Sequence, residues 1–334
     1  MNSDSLQSFA AIPLNSLQQA VVKQIQDNVA AGYYRLEAHP CRLCNGTQFE
    51  RIAEYDRYGL YAPMEICRAC GLIQANPMMT LESYAGFYSE EYRQLNEGKI
   101  HGAPSLFRRQ YMRGKFIYSY IIRYLKQITT KPFVLEIGCS AGGILKAFEE
   151  MGCRVCGIDL DRESIELGQK EHNLDLRYGT IRDLKLDRSP DLVILSHVVE
   201  HMVDPLVEME MLHNISSCAY VYVAVPGLKR IHRTHFCDIN LLLQTAHTHN
   251  FSLRSLANVM SRAGYELVKG DESVRSLFKP CPEAKSRPIQ SDYQDMMIYL
   301  HRMERLRRFV PMRSALKMGG RWAFRRFPII HRWV

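Results

Sequence analysis

From Phe133 onward the chain alternates short apolar runs with helical stretches, and no other feature restricts its fold as strongly. Apolar runs near 133–137, 154–158, 174–178, 191–195 and 219–225 each precede a segment with helical spacing. Runs of this length, rich in Val, Ile and Leu, read as strands buried on both faces. Five such repeats predict an α/β fold with a doubly wound, mostly parallel sheet. Two further runs, 265–269 and 273–278, flank Gly270-Asp271-Glu272 and predict an antiparallel hairpin that brings the sheet to seven strands.

The chain has 334 residues, 46% of them hydrophobic and 23% charged, enough for one large domain or two smaller ones. Leu14, Leu17, Val21, Ile25 and Val29 recur at intervals of three and four, which predicts an amphipathic helix over 14–31 packing on a neighbouring domain. Cys41-Arg-Leu-Cys44 and Cys67-Arg-Ala-Cys70 then form two tight pairs separated by 22 residues, with Gly46 and Gly71 placed to close the turns. Pairs at this spacing have the form of a four-thiolate structural zinc site, with no open position for water. The ten cysteines are too sparse for a disulfide scaffold, and the N-terminal stretch has no signal-peptide pattern. The expectation is a protein of a reducing compartment, the cytoplasm. Tyr84, Phe87, Tyr88 and Tyr92 predict a helix used for packing, 93–104 a polar linker, and 105–126 a further helix.

The net charge of +8 points first to a nucleic-acid partner, but its distribution argues otherwise. Residues 301–334 hold ten basic residues and one acid, leaving 1–300 at −1. Apolar side chains such as Phe309, Trp322, Phe324 and Trp333 intersperse the arginines, a composition suited to an anionic lipid interface. The alternatives for this tail are an ordinary docked helix and a phosphate-rich acceptor such as RNA.

Chemistry concentrates after the first strand. Phe133-Val-Leu-Glu136-Ile-Gly138 leads into Cys139-Ser140-Ala141-Gly142-Gly143 and an apolar helix, and small residues there let a ligand approach the backbone. Ser140 replaces the second glycine of a dinucleotide fingerprint, which makes that match only approximate. The second strand ends Gly157-Ile158-Asp159-Leu160-Asp161, where a carboxylate can accept hydrogen bonds from both ribose hydroxyls of a nucleoside.

These residues, with Asp191-Leu-Val-Ile-Leu-Ser-His197-Val-Val-Glu200-His201-Met-Val-Asp204-Pro205 and the later His249-Asn-Phe251-Ser252 and Ala263-Gly264-Tyr265, resemble class I S-adenosylmethionine-dependent methyltransferases over about 130–280. The front half, Cys41 to Cys70-Gly71-Leu72 followed by Asn76-Pro77, resembles the zinc-ribbon subgroup that includes sugar methyltransferases. The resemblance implies a Rossmann-like domain in which Gly138, Cys139, Ser140 and Gly142 line the methionine part of S-adenosyl-L-methionine, with Glu136 among the cofactor-binding residues. It also implies Asp159 on the ribose, Leu160 against adenine and His197 at the methionine end.

Methyl transfer to a hydroxyl needs alignment and removal of a proton, a task for histidine near neutral pH. The candidates are His201, His197, His247 and His249, with Glu200 as orienting group or base. The triplet His197, Glu200 and His201 also has ligands for a metal, but structural roles in a metal-free site are favoured. The expected divisions are an N-terminal helical segment (1–40), a zinc-ribbon and acceptor-side module (41–92), a methyltransferase domain (105–280) and a basic amphipathic tail (281–334). The expected activity is O-methylation of a sugar in a small-molecule or lipid-linked glycan of a polysaccharide or glycolipid precursor, with the tail giving a peripheral contact to an anionic membrane surface. RNA or protein methylation and a non-catalytic cofactor-binding adaptor are the alternatives, and nucleic acid is the weaker partner.

Overall fold

The computed structural model describes residues 9–98, 105–127 and 129–309, which form two compact units. One unit takes 9–98, 226–255 and 289–309, and the other takes 105–225 and 256–288. The first therefore collects segments that the linear pattern groups with the methyltransferase stretch and the tail.

The second unit holds the strands β6 (Phe133–Ile137), β7 (Arg154–Asp159), β8 (Leu176–Tyr178), β9 (Leu192–Ser196), β10 (Tyr220–Ala224), β12 (Tyr265–Gly270) and β13 (Arg275–Pro280). Their spatial order is β12-β13-β10-β9-β6-β7-β8. The five strands β6 to β10 are parallel, and the closing hairpin is antiparallel, with β13 rather than the edge strand β12 pairing with β10. All five strands read from the apolar pattern lie within two residues of their expected ends, because a run buried on both faces leaves little freedom in assigning its limits. Ser105–Leu125 (α4), Gly143–Glu150 (α5), Arg162–His172 (α6), Pro205–Ile215 (α7) and Leu253–Arg262 (α9) are helical. Ile117, Ile121 and Leu125 of α4 and Ile144, Leu145 and Phe148 of α5 join Val134, Leu192, Ile194 and Tyr222 of the strands in one core. Helix α7 starts where Asp204 accepts a hydrogen bond from the Val207 amide (3.2 Å) ahead of Pro205, a strong start signal.

In the first unit β1 (Leu36–Glu37) pairs with β5 (Met78–Met79), while β2 (Phe49–Tyr55), β3 (Tyr61–Cys67), β4 (Ile73–Ala75) and β11 (His249–Asn250) make an antiparallel sheet in the order β11-β4-β3-β2. The helices here are α1 (Ser16–Ala30), α2 (Leu81–Glu90), α3 (Tyr92–Glu97), α8 (Ile231–Thr234) and α10 (Tyr293–Arg307). A capping box between Asn15 and Gln18 starts α1. Helix α3 corrects the expectation of a polar linker from 93. Gln18 Nε2 donates to Leu95 O (2.9 Å), and Gly98 closes the helix in the left-handed region, so tertiary contacts secure a segment whose composition reads as loop. Residues 99–104, the remainder of that linker, and 310–334, the last part of the basic tail, lie outside the described residues. Among the described residues no helix is long and apolar enough to cross a membrane.

Candidate functional site

In the second unit the chain winds from β6 to β7 and β8, then returns to the other side of β6 for β9 and β10. Open α/β sheets bind ligands in the crevice outside the carboxyl ends of the strands at such a reversal, here between β6 and β9. The turn after β6 is built for close approach. Gly138 has φ +74°, and a Cβ there would lie 2.5 Å from Val198 Cγ2, so only glycine fits. Ser140 follows at φ +49° and Gly142 at φ +78°, so the turn curls through three left-handed residues.

Asp159, at the end of β7, accepts the Ser140 amide on Oδ2 (2.7 Å) and the Asp161 amide on Oδ1 (2.8 Å). The carboxylate thus ties the two turns together. Leu160 beside it is 60% exposed, a large apolar side chain on the open side of the site. Glu136, the fourth residue of β6, is buried, and its Oε2 has no hydrogen-bond partner among the described residues. Burial, reinforced by Asp159, pushes its carboxyl well above the usual range, with Arg113 opposing. Burial also raises the Cys139 thiol well above its usual value, which makes Cys139 a packing residue rather than a nucleophile.

The end of β9 supplies the opposite wall. His197 adopts φ +61°, a conformation that costs a branched-free side chain of order 1–3 kcal/mol and clusters at functional sites. Its amide donates to Ala224 O (2.8 Å), and its Nδ1 lies 3.1 Å from Glu200 Oε1. Glu200 is buried in the 3-10 turn Val199–His201, and His201 is half-buried on the same turn. The donor atoms of His197, Glu200 and His201 do not all lie within 4.8 Å of one another, so the triplet is not a ready three-ligand set. His247 and His249 belong to the first unit, both buried. His249 is paired in register with Gln74 and has its Nδ1 2.9 Å from Thr248 Oγ1.

Sequence reasoning missed Arg113. It lies on α4 four and eight residues ahead of the buried Ile117 and Ile121, so it occupies an apolar stripe, and a lone cation in such a stripe is the signal that could have found it. Its Nη1 lies 3.3 Å from Ser196 Oγ, with Glu136 and Glu200 as its nearby carboxylates, and burial lowers its pKa.

In the first unit the sulfurs of Cys41, Cys44, Cys67 and Cys70 all lie within 4.8 Å of one another, Cys41 and Cys70 at 3.4 Å and Cys44 and Cys67 at 3.5 Å. The two turns repeat one geometry: Asn45 N donates to Cys41 O (2.9 Å) and Gly71 N to Cys67 O (2.8 Å), each from a left-handed residue. The first turn is therefore closed by Asn45, not by Gly46. Gly46 instead clears space, since a Cβ there would lie 3.3 Å from the Cys44 and Cys67 sulfurs. Four sulfurs this close together, three of them on buried residues, form a donor set suited to a soft cation.

A family model described as a methyltransferase domain matches residues 107–269. That span is a methyltransferase domain. The chain is 32% identical over 84 residues to a ubiquinone biosynthesis O-methyltransferase of Haemophilus ducreyi, covering 22% of this chain and 36% of that protein. It is 30% identical over 96 residues to the protein of the same name from Rickettsia akari, covering 27% and 38%. The chain thus spans little more than a third of the length of the curated relatives it matches. Among solved structures, a S-adenosylmethionine-dependent methyltransferase of Clostridium acetobutylicum overlays 59% of this chain and 99% of its own at 8% identity, with a TM-score of 0.42.

Proposed function

We propose that the chain transfers a methyl group from S-adenosylmethionine to an oxygen of a small-molecule or lipid-linked acceptor. The observation that carries this reading is the crevice between β6 and β9, where a turn closed to side chains meets the Asp159 carboxylate and the partnerless buried oxygen of Glu136. The residues fit the cofactor: Asp159 is placed to accept from ribose hydroxyls, and Leu160 offers an apolar surface to a purine. Glu136 offers negative charge to an ammonium, and Arg113 has a guanidinium suited to a carboxylate. When bound, S-adenosylmethionine supplies an electrophilic methyl on a sulfonium.

The protein's own task is then alignment and proton removal. His201 accepts the acceptor's proton, while Glu200 and the strained His197 fix the turn that carries it. The names of the relatives support an oxygen acceptor and make a quinone precursor the second reading. The resemblance of the cysteine-bearing front half to sugar methyltransferases favours a sugar hydroxyl. The four thiolates are proposed to hold one structural zinc ion, which organises the ribbon and takes no part in the reaction.

Calorimetry with S-adenosylmethionine tests the first step. Wild-type protein binds, and Gly138→Val and Asp159→Ala each weaken binding by about 100-fold or more, consistent with loss of a preformed polar site. His201→Ala binds the cofactor within a few-fold of wild type and loses transfer of labelled methyl to a glycan or quinone-precursor pool. A wild-type protein that does not bind the cofactor ends the proposal, and loss of binding in His201→Ala ends the assignment of the base.

A further inference from the structure

In the first unit, the segment 228–236 and α10 build a cationic face that the methyl-transfer reading does not use. His232 Nδ1 lies 3.2 Å from the Tyr299 hydroxyl, with the rings edge to face at 6.4 Å, which joins α8 to α10. Around this joint stand Arg230, Arg233 and Arg302. Arg230 and Arg233 flank His232 in the chain, and Arg302 stands about one helical turn beyond Tyr299 on α10. Ile298, Arg302, Arg305 and Phe309 follow one another at helical spacing, and all four are exposed.

Neighbouring cations are neutralised: Lys229 pairs with Asp292 (3.2 Å), Arg307 with Glu304 (2.7 Å) and Asp238 (3.7 Å), and Arg308 with Glu304 (4.0 Å). Arg230, Arg233, Arg302 and Arg305 have no ion-pair partner among the described residues. The buried Nε of Arg230 has no hydrogen-bond partner there either. Four unneutralised guanidinium groups on one unit form an anion-seeking surface.

We propose that this face docks on an anionic lipid surface. The apolar side chains among the cations decide between lipid and nucleic acid. Ile298 is 66% exposed, Phe236 52% and Phe309 56%. A bilayer rewards both features, since cations meet anionic headgroups while Ile and Phe enter the boundary with the acyl chains. A phosphate backbone engages the cations and leaves the apolar groups in water. The proposal stands apart from the methyl-transfer reading, because none of these residues belongs to the crevice.

Flotation of the full-length protein with phosphatidylcholine vesicles, with and without about one-third phosphatidylglycerol, tests it. The protein floats with the anionic vesicles only. A cation near such a surface contributes about fivefold in partitioning, so R233E/R302E, which melts like wild type, lowers retention by about 100-fold or more. I298S/F309S lowers it by roughly tenfold through lost apolar burial. Absence of wild-type retention overturns the proposal, as does unchanged retention of R233E/R302E. It is also overturned if single-stranded RNA binds more tightly than the vesicles and I298S/F309S leaves that binding untouched.

Discussion

Glu136 is a carboxylate held where its charge is costly, buried at the end of a core strand with one oxygen unpaired. Its folded pKa is raised mainly by burial, so the unfolded chain releases this proton first as pH rises. Folding stability is therefore lost progressively from the ordinary carboxylate range up to the raised folded value. Glu136→Gln removes the titration and is expected to melt higher than wild type, by a margin that widens between pH 5 and pH 8, while binding S-adenosylmethionine more weakly. Parallel melting profiles across that range would show that Arg113 already neutralises the carboxylate. Glu136, Gly138, Gly142 and Asp159 were legible in the sequence because a strand, a tight turn and a second strand fix their spacing. Arg113 was not, since its place four and eight residues ahead of Ile117 and Ile121 marks it only once the buried stripe of the helix is traced back to its first turns, and the left-handed backbone of His197 leaves no trace in composition.

The two cysteine turns are the element on which the first unit is organised. Gly71, left-handed at φ +82°, lies against the start of α10, and a Cβ there would be 2.5 Å from the Tyr293 amide nitrogen. The Asp292 amide donates to Cys70 O (3.0 Å), and the Asp292 carboxylate is held by Ser252 and Lys229. Gly71→Ala therefore meets both the left-handed penalty of roughly 1–2 kcal/mol and a backbone clash, and is expected to lower the melting temperature and loosen α10. Plasma emission spectrometry is expected to find one zinc per chain, and chelation to reproduce the Gly71→Ala effect in amide exchange of 289–309. Protein purified without chelator that lacks zinc would remove the metal centre. At this scale the strands of the large sheet were read to within two residues. The two-residue strand β11 was not, because it is too short to carry a period and is defined only by its partner β4.

At the scale of the molecule, each unit is assembled from segments far apart in the chain, which passes from one unit to the other after residues 98, 225, 255 and 288. The buried Asp56 shows what this entails: it accepts from the amides of Tyr58 (2.9 Å) and Leu60 (3.0 Å), and from the amide and hydroxyl of Thr245 (both 2.8 Å). A fragment of residues 1–98 keeps the four cysteines but loses Thr245, strand β11 and the Asp292 contact. It is expected to give a poorly dispersed amide spectrum even with zinc, and a well-dispersed one would show that the ribbon folds on its own. The same connectivity sets a waiting time during synthesis. Asp292 emerges roughly 190 residues after Gly98, which at about 5–20 residues per second is some 10–40 seconds. Through that interval the cysteine turns lack Asp292, and through most of it the apolar edge of β4 lacks β11, so the newly made ribbon stands incomplete until late in synthesis.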